Sequence, residues 1–182
     1  MTFHSEISDE QLVKDYVQGD LQAFETLYAR YVRIVYKRVR YVVADTDVED
    51  VTQEVFIAAL RSLGTFRGEA RFSTWLRTLT NHKVAEYYRK RSRKKETMQI
   101  DLIHAEKQGD HTSASLWEER IALRRALLTL PEQYREVILL RFAEGLQFST
   151  IASVLKQNPE ATKSLFRRAM SALRNTLDVN DD

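Results

Sequence analysis

Apolar residues recur every three or four positions along nearly the whole of this 182-residue chain, and no convincing stretch alternates with period two. Residues at that spacing share one face of a helix, so the chain is expected to be all-α. Five Gly and two Pro leave few places to interrupt a helix, which predicts long helices and few turns. The length allows one large domain or two small ones. Zero Cys excludes disulfides and Cys-ligated zinc, and fits a reducing cytoplasm. The four His (His4, His82, His104 and His111) lack metal-ligand spacing. No apolar run comes near the roughly 18 residues a membrane helix needs. The opening residues Met1 to Gln11 lack the basic-then-apolar order of a signal peptide. A cytoplasmic protein with no membrane insertion and no cofactor is expected.

Capping residues divide the helical pattern. Ser8, Asp9, Glu10 and Gln11 read as a capping box opening a short helix that Gly19 ends. Asp20 can cap the next helix, which carries Leu21, Phe24, Leu27, Tyr28, Tyr31, Val35 and Val39. Thr46, Asp47, Val48 and Glu49 read as a second capping box, opening a helix to about Leu63. Gly64 and Gly68 bracket a loop, and a long helix follows from about Ser73. From Glu96 to Arg120 six acids face two bases, and small polar residues dilute the apolar pattern; residues 92–114 read as a flexible acidic linker. Ser115 is expected to open a second domain. Pro131 precedes a helix at 132–144, and Asn158-Pro159 has the order of a helix start. The segments 148–155 and 159–177 then form a helix-turn-helix candidate. The expected organisation is residues 1–91, a linker at 92–114, and residues 115–182.

Charge is concentrated rather than general. The formal net charge is only +2, yet Arg61 to Lys95 hold eleven Lys or Arg against Glu69 and Glu86. The rings of Phe66, Phe72, Trp75, Tyr87 and Tyr88 are interleaved with them. Lys163 to Arg174 hold four more cations and no acid. Clustered cations neutralise phosphates, and flat rings stack on unpaired bases. Two footprints on nucleic acid are therefore expected. Between Val42 and Leu60 there is no Lys or Arg, and Asp47, Asp50 and Glu54 recur at helical spacing beside Gln53. This stripe is either a solvated helix face or a docking face for a basic partner, and the absence of mixed signs favours docking. The loop from Leu63 to Phe72 with its following helix could form a pocket for an unstacked base; the bland alternative makes Phe66, Phe72 and Trp75 core residues, the reading preferred for Trp75. Many helical hairpins imitate a helix-turn-helix, but here the second helix is basic. No Walker loop, GxSxG or HExxH occurs, so neither an enzyme nor a small-molecule substrate is expected.

Taken together these strings resemble a known family. Asp20 to Lys95 looks like the second region of a bacterial RNA polymerase sigma factor, and Leu127 to Leu177 is similar to its fourth. The carriers are Gly19-Asp20 with Ala23-Phe24, Asp47 through Phe56, Phe66-Arg67 with Phe72 through Leu76, the basic tail from Tyr87 to Arg93, and Leu130 through Val137. The lack of anything substantial between the two regions resembles the extracytoplasmic-function (ECF) subfamily. The resemblance implies that Asp47, Asp50, Gln53 and Glu54 bind core RNA polymerase. It implies that the loop with Phe66, Arg67, Arg71 and Phe72 holds a flipped base of the promoter −10 element, and that Asn81, His82, Tyr87, Arg89 and Lys90 contact DNA beside it. Lys163, Ser164, Arg167 and Arg168 would engage the −35 element. Partners implied are core polymerase, promoter DNA and an anti-sigma factor. Lys156 stands where the turn usually has Gly, and Gln147 replaces the usual Ser cap. A stand-alone helix-turn-helix regulator, or an adaptor that has lost promoter reading, are the rival readings.

Overall fold

The structure, a computed structural model, describes residues 7–97 and 111–178. Among them are eight α-helices and no strand: α1 (Asp9–Val17), α2 (Leu21–Arg40), α3 (Val48–Ser62), α4 (Phe72–Thr97), α5 (His111–Thr129), α6 (Glu132–Phe142), α7 (Phe148–Leu155) and α8 (Pro159–Asp178). Short 3-10 turns occupy Asp45–Asp47 and Leu63–Thr65. The chain divides into two compact units, Met1–Tyr87 and Tyr88–Asp182. No helix among the described residues is long and apolar enough to cross a membrane.

In the first unit the caps do much of the local work. Ser8 Oγ accepts from the Gln11 N–H at 3.2 Å, and Asp20 Oδ1 accepts from the Gln22 N–H at 2.9 Å. Between them Gly19 turns the chain at φ 105°, a left-handed conformation that glycine reaches without a Cβ clash. Leu12 and Val13 of α1 are buried, as are Ala23, Leu27, Val35 and Val39 of α2 and Val51, Val55 and Ala59 of α3. A polar clasp reinforces this apolar contact: Asp9 of α1 pairs with Arg30 of α2 at 2.8 Å and accepts from the Tyr31 hydroxyl. Burial, then the bond to Asp9 and its charge, hold the Tyr31 phenol far above its ordinary range, so it stays a donor.

The second expected capping box does not form. Asp45–Asp47 make a 3-10 turn and α3 starts at Val48, with no side-chain cap bond at Asp47. The Thr46 hydroxyl instead donates to Asp47 Oδ1 at 3.2 Å, so it is turned away from the helix N–H groups. The helix boundaries around the expected linker also differ. Helix α4 runs on to Thr97, because its Arg/Lys run contains no Gly or Pro to stop it. Helix α5 starts at His111, four residues before Ser115, since nothing between them breaks a helix. The acidic residues Asp101, Glu106 and Asp110 lie outside the described residues.

The core of the second unit is Ala126, Leu127, Leu130, Val137, Ile138, Leu140, Ile151, Leu165, Ala169 and Leu173, drawn from α5 through α8. Helix α6 ends two residues short of the expected 144, because the chain turns at Gly145 with φ 70° and the Leu146 N–H bonds back to the Leu140 carbonyl at 3.0 Å. The pair α7 and α8 forms where the sequence placed it. Between them Lys156 is left-handed (φ 54°, ψ 43°), the one non-glycine residue with positive φ among those described. The Gln157 N–H bonds to the Ala152 carbonyl at 2.9 Å, closing the helix end, and Asn158 Oδ1 caps α8 by accepting from the Ala161 N–H at 2.7 Å. Gln147 starts α7 without a side-chain cap bond. Thr162 is fully buried, and its hydroxyl donates to the Asn158 carbonyl at 3.0 Å, which removes the penalty of a bare polar atom.

A left-handed Lys carries a steric cost of about 1 kcal/mol that Gly would not. Lys156→Gly is expected to raise the unfolding free energy of the second unit by roughly 0.5 kcal/mol after the extra entropy of an unfolded Gly is subtracted. Urea unfolding followed by tertiary-structure signals checks this, and a loss of stability would show that the turn is not strained.

Candidate nucleic-acid interface

Helix α3 buries Val51, Thr52, Val55, Phe56 and Ala59, which leaves its other side to face outward. Asp50 and Gln53 are exposed and Glu54 is half-buried. Asp47 departs from this stripe. It precedes the helix, is half-buried, and its Oδ2 accepts from the Tyr87 hydroxyl of α4 at 2.6 Å. Beyond the carboxylates the outward face turns apolar, with Ile57 47% and Leu60 40% exposed. Sequence reasoning missed both, although Ile57 lies four residues after Gln53 and Leu60 three after Ile57, which put them on that face. A ridge that joins carboxylates to bare aliphatic groups suits a partner with basic and apolar side chains.

The loop before α4 gathers a ring cluster. Phe72 is only 1% exposed and sits edge-on to Tyr31 at 5.2 Å. It cannot offer its ring to a base. Its apolar face was claimed by the core, and it becomes the backing on which other rings rest. Phe66 lies 6.1 Å from Phe72 and 5.5 Å from Trp75. Phe66 and Trp75 are both half-buried, so Trp75 is not the enclosed core residue expected. These two partly open rings, with exposed Arg67 and Arg71 beside them, are the surface able to stack on a flat base. Gly68 turns the loop at φ 71°.

Along α4 an outward stripe runs through Thr78, His82, Ala85 and Arg89, with exposed Lys90 next to it. Lys83 faces Glu86 at 2.8 Å. Asn81 and Tyr87 are more constrained than the sequence suggested. Asn81 Oδ1 accepts from the guanidinium of Arg38 at 3.1 and 3.3 Å, and Arg38 is itself 1% exposed. Tyr87 is half-buried against Asp47. Both therefore tie α4 to neighbouring parts of the first unit.

Helix α8 buries Thr162, Leu165, Ala169 and Leu173 and turns Lys163, Arg167, Arg168 and Arg174 outward, with Ser164 half-buried at the edge of that face. Leu165 is part of the core, which explains an apolar residue within a basic helix. Lys163 pairs with Glu160 at 2.9 Å, and Arg167 donates to Ser164 Oγ at 3.2 Å. The hydrogen bond from Lys163, then its charge, lowers the pKa of the Glu160 carboxyl below its ordinary value. The sequence block beginning at Lys163 contained no acid, but the helix brings Glu160 onto the same face one turn earlier. Among the described residues no group of three or more His, Asp or Glu could hold a metal ion.

Known proteins carry the same two-part pattern. Residues 27–94 match the family described as Sigma-70 region 2, and residues 120–173 match Sigma-70, region 4. The chain is 32% identical over 180 residues to the ECF RNA polymerase sigma-E factor of Escherichia coli strain K12, covering 93% of this chain and 94% of that one. It is 35% identical over 185 residues to the RNA polymerase sigma-H factor of Pseudomonas aeruginosa, covering 93% of each. Among solved structures it is similar to CnrH in complex with the cytosolic domain of CnrY, with 27% identity and a TM-score of 0.61 over 94% of this chain and 97% of CnrH.

Glu160 places a negative charge on the face that would meet phosphates. Glu160→Gln is expected to tighten binding of the protein to duplex DNA by about two- to fivefold at low salt, the range of an exposed ion pair. Fluorescence anisotropy with labelled duplex measures it. Unchanged affinity would mean that this face of α8 does not approach DNA.

Proposed function

The chain belongs to the sigma-70 family of bacterial RNA polymerase sigma factors, in its ECF subfamily, and from that premise we propose how its residues divide the work of starting transcription. The chain is an initiation factor that acts by binding rather than by chemistry of its own, with the cytoplasmic polymerase as its partner. Asp50, Gln53 and Glu54, continued by Ile57 and Leu60, dock on core polymerase. Phe66 and Trp75 take an unpaired base of the −10 element, with Arg67 and Arg71 neutralising the phosphates around it and Phe72 supporting the rings. His82, Arg89 and Lys90 track the strand beside them. Lys163, Ser164, Arg167 and Arg168 clamp the −35 element from α8.

The observation that carries this reading is the sorting of surfaces. Anionic and apolar groups share the outer side of α3, while exposed cations lie along α4 and α8. A self-contained DNA binder has no use for the first, and a plain docking protein has none for the second. The energies are sufficient. A base stacked on an aromatic ring is worth about 1–3 kcal/mol. Each duplex step gives up about 1.4 kcal/mol of stacking. A few captured bases therefore tip the balance toward an open duplex. An anti-sigma factor that covers the α3 face before polymerase arrives completes the proposal; bare Ile57 and Leu60 support such a cover, and the relative CnrH was solved holding another protein.

Gel filtration with core polymerase tests the docking face. Asp50→Arg combined with Glu54→Arg is expected to weaken the complex at least about tenfold while leaving helicity unchanged. Failure of the unaltered chain to join core polymerase would instead favour a stand-alone regulator. Start sites mapped after overexpression supply a promoter for the second test. On it, Phe66→Ala is expected to reduce open-complex formation about tenfold with little loss of closed-duplex binding. Equal losses in both would make Phe66 a packing residue only.

A further inference from the structure

Asp47 sits at the head of the acidic stripe but is not directed outward with it. One carboxylate oxygen accepts from Tyr87 at 2.6 Å and the other from the Thr46 hydroxyl at 3.2 Å. A basic partner approaching Asp47 would have to displace bonds already made, whereas Asp50 and Gln53, three and six residues further on, are exposed. Tyr87 in turn occupies a particular place. It is the last residue of the first compact unit, immediately before the cations Arg89, Lys90 and Arg91. The charge-assisted hydrogen bond ties Tyr87 of α4 to the residue that immediately precedes α3.

We propose that Asp47 is a positioning residue for promoter opening: it latches Tyr87, and with it the basic end of α4, to the start of α3. The docking helix and the strand-binding helix then move as one body, so that polymerase binding at Asp50 to Leu60 fixes where the single strand is received. The latch rests on the sigma-factor reading above. It gives Asp47 and Tyr87 one shared role, in place of polymerase contact for the first and DNA contact for the second.

Holoenzyme reconstituted with the full chain separates these possibilities. Asp47→Ala, Asp47→Asn, Tyr87→Phe and the double variant Asp47→Ala/Tyr87→Phe are compared on a mapped promoter. Polymerase affinity is read by competition and strand opening by permanganate reactivity at saturating holoenzyme. Asp47→Ala and Tyr87→Phe are each expected to lower opening about tenfold, the worth of a hydrogen bond to a charged group. Both should leave polymerase affinity within about twofold of the original. Asp47→Asn, which keeps an acceptor oxygen, should recover most of the opening. The double variant should be no worse than either single one, the signature of two groups acting through one contact. The latch is overturned if Asp47→Asn is as poor as Asp47→Ala with polymerase affinity lost in both, since the charge would then be a docking contact. It is equally overturned if the losses multiply in the double variant. Tyr87→Phe removes one oxygen and keeps the ring, so it carries the test should Asp47→Ala fail to fold. If the unaltered holoenzyme opens no promoter, the sigma-factor reading itself falls and takes the latch with it.

Discussion

A guanidinium withdrawn from water governs the architecture of the first unit. Arg38 lies on the inner side of α2, where its neighbours in the helix pattern are the core residues Val35 and Val39. An ion in that position costs several kcal/mol unless hydrogen bonds replace its hydration. Asn81 supplies at least part of that replacement from α4. Apolar packing alone tolerates small rotations of one helix against another, but a pair of bonds from one guanidinium to one amide oxygen tolerates few. The position of α4 on α2 is thus set by directional contacts, with Phe72 and Leu76 anchoring the apolar end of the same helix. The outer face of α4 within the first unit inherits its placement from this inner one.

The second unit solves the corresponding problem with backbone geometry. Its two crossing helices are α7 and α8, and the angle between them depends on a tight reversal at Lys156. The reversal holds because the carbonyl ends of α7 are satisfied by the N–H groups that follow, and because Asn158 caps the new helix at once. Thr162 and Leu165 then fill the interior of that corner. Residues that look out of place in the sequence have plain reasons here. Leu165 among the cations is a core contact, and Thr162 can be buried because its own helix turn accepts its proton.

Local signals were legible in the sequence to the extent that their partners were close along the chain. Ser8, Asp20, Asn158 and Gly19 each do what their type predicts, since a cap or a left-handed turn involves only three or four neighbours. The helices at 148–155 and 159–177 were likewise visible from period and caps. Thr46 to Glu49 shows where such reasoning stops. The pattern fits a capping box, but the hydroxyl bonded to Asp47, whose other oxygen is claimed by a residue forty positions away. Phe72 and Asn81 likewise have partners far along the chain, Tyr31 and Arg38. Charge and ring content marked residues on α3, α4 and α8 as a set. They did not distinguish the side chains that face outward from those held against neighbouring elements. Ile57 and Leu60 escaped because exposed aliphatics follow no rule of composition.

Those two aliphatic groups on α3 have a consequence for solubility. Apolar surface rimmed by polar groups is where one protein covers another. Left uncovered at high concentration, the same surface favours self-association.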